Sequence, residues 1–401
     1  MNMYLHLAIV LTVLVTALLL WLPRLHGSVT WRAMITPLAS IIGSGFLVLG
    51  PILDAEYGMY APMVMAALCV GAYLYGSAIR YNMAALDHGA ADTTGLLRKL
   101  DSAASWSLGF AYIISVAYYL NLFGAFGVSF TAVSDPFHAR LLTSSVFIVI
   151  LYVGWTRGFK SLEHMEYVSV TAKLAIIAGL LVGLAVYFSG KIETNGLLFN
   201  APQRTGLSAI ALAFGLIVTV QGFETSRYLG AEYDSRTRIR SMRWSQWLSS
   251  AIYMVYILLM AYVFERGELE LSETTIIDMM SIVAPILPVL LVAAALAAQF
   301  SAAVADTSGS GGLFAEMSAN RLTPRMAYGL LTCAGLLLTW FSDVFQIISY
   351  ASRAFAIYYT LQAAIAAVTA WRLSEQWRSL GFAVLTLLGI LIIVFGQAVE
   401  G

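Results

Sequence analysis

Lys173, Glu224 and Asp306 stand inside long apolar runs of this 401-residue chain, where an ionisable side chain is out of place. At the centre of a membrane helix such a residue costs about 2.5–3.5 kcal/mol, so it usually faces a cavity or a partner. Glu166, Ser169 and Lys173 are spaced i, i+3, i+7, which sets them on one polar helical stripe turned toward protein. Lys173 there offers either a proton that can leave and return or the fixed charge of a structural salt bridge. Gln299, Asp306 and Ser310, at i, i+7, i+11, form a second stripe. Asp306 could hold a cationic substrate group, carry a proton, or pair with Lys173 or Arg353. Thr307, Ser308 and Ser310 beside it supply oxygens suited to a hard cation such as sodium. Glu224 reads as a proton carrier or as a buried hydrogen-bonding group. Arg227 reads as a side chain snorkelling toward the cytoplasmic face, and Arg353 is expected to pair with Asp306 or Glu224. Tyr118, Tyr119, Tyr350, Tyr358 and Tyr359 either wall a cavity or pack in the core and the interfacial belt.

Two interruptions place these groups. Ile41-Ile42-Gly43-Ser44-Gly45-Phe46 breaks an apolar run at 33–53, and Val220-Gln221-Gly222-Phe223-Glu224-Thr225 breaks another at 206–229. Each helical glycine costs about 1 kcal/mol relative to alanine. Irregular backbone at that depth is tolerated only where it is buried in protein or lines a cavity. The freed amides and the half-helix dipole then suit an anionic group such as a carboxylate. Either glycine cluster alone reads as close helix packing. In matching positions of two halves they point to an inverted-repeat transporter with a site at the membrane midplane. A substrate's anionic group would meet amides around Ile42, Gly43, Ser44 and Gly45. Its amine would meet carbonyls near Gln221, Gly222 and Phe223, with Asp306, and Tyr118 would contribute to the wall.

The elements that carry these breaks are membrane helices. Hydrophobic residues make up 60% of the chain and charged ones only 11%, less than half the roughly 25% typical of soluble domains. That excludes a nucleic-acid binder, a disordered chain and a disulfide scaffold. Runs such as Leu7 to Leu22 are too long and too unalternated for barrel strands. The pattern predicts an all-α membrane protein of about 12 transmembrane helices, near 5–23, 33–53, 60–82, 104–133, 141–156, 163–189, 206–229, 246–264, 286–317, 326–341, 344–371 and 379–397. It divides into a lead-in span and loop (1–32), a first five-helix repeat (33–189), an external loop (190–205), a second repeat (206–371) and a tail span (372–401). Arg24, Arg32, Arg80, Arg98, Lys99, Arg157, Lys160, Arg236, Arg238, Arg240, Arg243, Arg321, Arg325, Arg372 and Arg378 fall in one set of alternate loops. The opposite set holds only Arg140, Lys191, Arg204 and Arg266. Because basic loops stay cytoplasmic, both termini are expected outside. The polar stretch Met83 to Ala103 is expected to be a loop with room for a short interfacial helix. Glu265 to Asp278 reads as a solvated acidic loop outside, or as a cation-attracting vestibule. The first span lacks the flanks of a cleaved signal peptide.

At the broken helices the chain resembles the amino acid–polyamine–organocation superfamily, whose leucine-transporter fold has five plus five helices. Gly43-Ser44-Gly45-Phe46 is similar to that family's Gly-Ser-Gly-Ile-Phe signature in core helix 1, and Gly222-Phe223-Glu224 to its Gly-Phe-Glu signature in core helix 6. Leu313 to Pro324 is similar to the end of core helix 8, and Arg236 to Arg243 sits where members carry a basic loop. The resemblance implies that Lys173 takes the place of a bound sodium, as in sodium-independent members. It also implies that Glu224 links substrate occupancy to helix movement. The family's acidic-Gly-Pro-Gly-Gly-Tyr pattern is not recognisable in Ala72 to Gly95. The lead-in span is extra, and one span follows the core instead of two. Sodium–solute symporters share the extra first span.

The expectation is a secondary active transporter for a small amino acid or related amine, proton-coupled or exchanging, in a multi-pass inner-membrane setting. Its partners would be a small-molecule substrate and the lipid bilayer, with no nucleic acid, no cofactor and no metal. Sodium is the less favoured coupling ion. A sodium-coupled symporter of another solute, a channel and a membrane sensor are the alternatives. No enzyme signature is present: Ser308 to Gly312 lacks the lysine and helix start of a phosphate loop. The five histidines show no metal-ligand spacing, and Cys69 and Cys333 fall inside spans.

Overall fold

Apolar runs with few breakers become long helices. The computed structural model describes residues 2–43, 45–87, 95–129, 131, 133, 135–230, 232–265, 275–319, 321–342 and 344–397. Among them the chain forms fifteen α-helices and no strand. The first is α1 (Asn2–Leu20), followed by the single turn α2 (Pro23–His26). The first broken helix is α3 (Val29–Ile41) and α4 (Gly45–Tyr57), and α5 (Ala61–Asp87), α6 (Gly95–Ser129), α7 (Pro136–Thr156) and α8 (Phe159–Glu193) complete the first half. The second half opens with α9 (Gly206–Leu216), which passes into short 3-10 turns at Ile217–Val220 and Phe223–Tyr228. Then come α10 (Ser235–Met260), α11 (Thr275–Val283), α12 (Leu287–Met317), α13 (Pro324–Phe341), α14 (Val344–Arg372) and α15 (Gln376–Phe395). Eight helical segments among the described residues are long and apolar enough to cross a bilayer. Other expected spans coincide with shorter or more polar helices, notably α3, α9 and α10.

Packing follows the buried small residues. The small-residue helix α12, with Ser301 to Ser310 wholly buried, lies against α6, α8 and α3. On the other side α10 packs on α5 and α3, and α14 is sandwiched between α6 and α15. Only one edge of α1 is covered: Ile9 is fully buried on α8, while Leu7, Leu11, Leu14 and Leu18 are exposed. Gly183 of α8 makes the approach close, since a Cβ there would lie 3.2 Å from the Ile9 side chain. The Tyr167 hydroxyl of α8 ties down the end of α1 by donating to the Leu20 carbonyl.

Two segments differ from the sequence expectation. Met83–Asp87 continues α5 and Gly95–Ala103 opens α6, instead of forming a loop; residues 88–94 lie outside the described set. Ala85, Leu97 and Ala104 are buried, so protein contacts carry these helices onward through polar sequence. Likewise Arg236–Arg243 is not a basic loop but the first turns of α10. Most of the acidic stretch from Glu265 to Asp278 lies outside the described residues; Thr275–Asp278 begins α11.

Asp234 starts α10 by accepting a hydrogen bond from the Thr237 amide at 3.0 Å, the usual N-cap arrangement. Those Thr237 hydrogen bonds, aided by Arg236 and Arg238, hold its carboxyl below the ordinary aspartate value. The stabilisation is therefore present at neutral pH and is lost as pH falls through the folded-state pKa, below the ordinary value of about 3.9. Asp234→Ala is expected to lower the unfolding temperature at pH 7. The gap from wild type should narrow on acidification, and a gap constant with pH would contradict the cap's charge as its source.

Candidate functional site

The first break follows from the order of its residues. Pro37 lies inside α3, and the helix closes at Ile42, whose amide still donates to the Leu38 carbonyl at 3.1 Å. At Gly43 the ladder stops, and α4 begins at Gly45; Ser44, between them, lies outside the described residues. The carbonyls at the end of α3 therefore lack helical partners. Lys173 of α8 supplies one. Its ammonium donates to the Ala39 carbonyl at 2.8 Å, the Ile42 carbonyl at 2.6 Å and the Ser301 hydroxyl of α12 at 2.9 Å. The side chain is wholly buried. A cation at a helix C-terminus is also favoured by the helix dipole, so one charge completes the break and bolts α3, α8 and α12 together.

One turn earlier on α3, the Thr36 hydroxyl donates to Glu166 Oε2 at 2.9 Å. Glu166 and Lys173 thus share a buried face of α8, as their spacing predicts, with Ser169 between them half-buried. Asp306 is not paired with Lys173. Instead the Ser40 hydroxyl of α3 donates to its Oδ1 at 2.9 Å, and the Ser115 hydroxyl of α6 donates to its Oδ2. Nor does Asp306 or Glu224 pair with Arg353, which is exposed while both carboxylates are fully buried. The expected stripe of Gln299, Asp306 and Ser310 is buried throughout.

The second break is held by its own acid. Gly222 adopts φ +111°, a region open to glycine, and this turns the chain out of helix. Its amide donates to Glu224 Oε2 at 3.0 Å, and the Tyr359 hydroxyl of α14 donates to the same oxygen at 2.6 Å. The Thr225 hydroxyl returns to the Gly222 carbonyl at 2.7 Å. Phe223 stacks on the Tyr359 ring with centroids 5.1 Å apart. The two breaks touch: the Tyr253 hydroxyl lies 3.0 Å from both the Ile41 and the Thr219 carbonyls, within donating distance of each helix. Tyr119 and Ala302 flank Gly43.

Several buried oxygens have no hydrogen-bond partner among the described residues: Gln221 Oε1, Glu224 Oε1, Gln299 Oε1, the Ser308 hydroxyl and the Tyr112 hydroxyl. An orphaned buried acceptor costs about 1–3 kcal/mol. Acceptors predominate, a set matched to a ligand with donor hydrogens. Of the expected ion ligands, Thr307 donates to the Ala303 carbonyl and Ser310 to the Thr307 carbonyl, each at 2.7 Å. These two hydroxyl protons are thus turned back onto α12. Tyr118 is half-buried and packs on Tyr119, while Tyr358 and Tyr359 are buried. The side chain of Tyr350 lies outside the described residues. Arg227 does not snorkel. It is buried, donates to Asp101 Oδ1 at 2.9 Å and lies over the Tyr228 ring.

A family model for APC superfamily transporters matches residues 23–396 of the chain. The chain is an APC superfamily transporter. A protein of Aquifex aeolicus (strain VF5), described as uncharacterised, is 39% identical over 405 residues, covering 98% of this chain and 97% of that one. Solved structures of similar fold include Mhp1, a nucleobase-cation-symport-1 family transporter in a closed conformation with bromovinylhydantoin bound. Its TM-score is 0.55 at 12% identity, over 91% of this chain and 92% of that one. A Na+-coupled sialic acid symporter in a substrate-bound outward-open state gives a TM-score of 0.56 at 13% identity, over 99% and 98%. MhsT in complex with L-phenylalanine gives 0.55 at 12%, over 91% and 98%. These likenesses establish the leucine-transporter fold. The transporter's unwound segments at Ile42–Gly43 and Gln221–Gly222 therefore sit in a secondary-transporter scaffold.

The hydroxyls that hold those charges are what sequence reading misses. Thr36, Ser40, Ser115 and Ser301 look like ordinary small residues of membrane helices. Thr36 and Ser40, four apart on the face of α3 beside the break, are the one pattern that could have signalled them.

Proposed function

We propose that this secondary transporter carries a small amino acid or related amine, and that proton movement or exchange, in place of sodium, accompanies each passage. The observation that supports this reading is the ammonium of Lys173 inside a cage of three oxygens at the first break. A second cation 4 Å away would meet a repulsion of about 4 kcal/mol at an effective dielectric of 20, so the lysine disfavours a sodium ion at that place. The substrate's carboxylate would take amides at the start of α4, around Gly43 to Gly45. Its amine would take the acceptor-rich side, among Gln221, the Gly222 turn and Asp306. Glu224 and Asp306 are the carboxylates that can gain and lose a proton as the breaks separate. The twelve-span, five-plus-five inverted organisation, with both termini on the side opposite the basic loops of an inner membrane, is part of the same reading.

Proteoliposome uptake with a panel of labelled amino acids and amines tests it. Saturable uptake stimulated by an inward proton gradient or by internal substrate, and equal in sodium and choline buffers, is expected. Asp306→Asn should lose the proton-driven part at least tenfold. Uptake that requires sodium overturns the coupling. Flux linear in substrate and indifferent to counter-substrate overturns the carrier.

A further inference from the structure

The helical start of α10 puts five bulky side chains on one exposed face. Arg236, Arg240, Arg243, Trp244 and Trp247 follow a spacing of i, i+4, i+7, i+8 and i+11 and line a cleft of about 730 Å³. Along the axis the face extends about 16 Å, at 1.5 Å per residue. The arginines stand toward the basic end of the bundle and the tryptophans deeper. Trp244 and Trp247 are 52% and 58% exposed, although each is apolar enough to be buried if any protein covered it. Arg238, on the other face of the helix, is occupied in donating to the Arg227 carbonyl.

Behind this wall lies a fourth guanidinium. Arg80 of α5 is buried and donates to Gln246 and to the Tyr73 carbonyl, with its charge over the Tyr73 ring. That ring meets Trp247 edge-on, with centroids 5.6 Å apart. Among the described residues, none of Arg80, Arg236, Arg240 and Arg243 forms an ion pair with a carboxylate, and no acidic side chain lines the cleft. The nearest acid in sequence, Asp234, is engaged on the Thr237 amide. Four positive charges without counter-charge, graded into exposed indole rings, complement a molecule with a negative head and an apolar body.

We propose that this face of α10 binds an anionic phospholipid of the surrounding bilayer. Its phosphate is held by Arg236, Arg240 and Arg243, and its acyl chains lie against Trp244 and Trp247. Basic clefts between membrane helices recognise anionic headgroups in this way, and indole rings favour the headgroup boundary. The site is remote from the breaks and does not depend on the substrate assigned above.

Native mass spectrometry of the detergent-purified full chain, doped with equal phosphatidylglycerol and phosphatidylcholine, tests the proposal. Retention of phosphatidylglycerol over phosphatidylcholine is expected. The triple variant R236Q/R240Q/R243Q should lose roughly a hundredfold in that preference, since each arginine near an anionic surface is worth about a factor of five. The exposed pair changed in R321Q/R325Q should leave the preference within about twofold, the spread allowed to distant, independent sites. Equal retention of both lipids, an undiminished preference in the triple variant, or an equal loss in the R321Q/R325Q control would overturn the site. Phosphatidylglycerol should also raise the unfolding temperature of the wild type but not of the triple variant. If inorganic phosphate reproduced that rise in full, the acyl chains would have no part and a lipid occupant would be refuted.

Discussion

Lys173→Ala is expected to abolish uptake, by at least a hundredfold, and to loosen the first break. The substitution removes donors from the Ala39 and Ile42 carbonyls and from Ser301. With each orphaned buried group costing about 1–3 kcal/mol, the total for the three is roughly 3–9 kcal/mol before water or another cation moves in. Lys173→Met keeps most of the volume and isolates the charge, so it should fail similarly in transport while unfolding at a higher temperature than the alanine variant. Because the freed oxygens form a ready cation cage, sodium should raise the unfolding temperature of Lys173→Ala and leave wild type unmoved. Uptake by a well-folded Lys173→Ala protein with an unaltered pH profile would refute any role for the ammonium in coupling. Absence of a sodium response in the variant would refute the cage.

Gly222→Ala carries the second large effect. A Cβ at that position would lie 2.6 Å from the Ser40 Cβ and 2.7 Å from the Ile41 amide nitrogen, across the contact between the two breaks. The backbone there is at φ +111°, which costs a non-glycine residue about 1–3 kcal/mol. Overpacking adds about 1–3 kcal/mol. Ser40 also donates to Asp306, so relieving the clash pulls on the carboxylate that sits between α3, α6 and α12. The expected result is a folded but destabilised protein with uptake reduced more than tenfold. Gly190→Ala, whose Cβ would have no atom of the described residues within 4 Å, is the matched control and should behave as wild type. A Gly222→Ala protein as stable and as active as wild type would show that the turn does not need its left-handed conformation.

The positions of the two breaks and of Lys173, Glu224 and Asp306 were legible because glycine and charge are conspicuous in an apolar run. Their partners were not. A serine or threonine in a membrane helix can return its hydroxyl to a carbonyl one turn back, as Thr307 does to Ala303. Nothing in the sequence separates that serine from Ser40 or Ser115, which reach another helix. Arg227 and Arg353 reverse the sequence expectation: depth along a span does not say which side of the helix faces protein. Arg227 finds Asp101 because α6 continues inward of the expected start at 104. The same blindness made a loop of Arg236–Arg243, where polar composition masks a helix begun by Asp234. The second break is also more unwound than glycine content alone implies. Phe223–Tyr228 is a 3-10 turn because Glu224, Thr225 and Tyr359 satisfy its polar groups from outside the helical ladder.

The lead-in helix has a consequence for how the chain is made. Ile9 docks on Gly179 and Gly183, which the ribosome produces far later. At about 5–20 residues per second the wait is roughly 10–30 s. Throughout that interval α1 must rest in lipid with no partner, and its make-up allows this: no Asp, Glu, Lys or Arg occurs between Asn2 and Leu20. The glycines that receive it lie on the later helix, and the early one carries none. Docking on α8 is then a sideways capture within the membrane, of a helix already made.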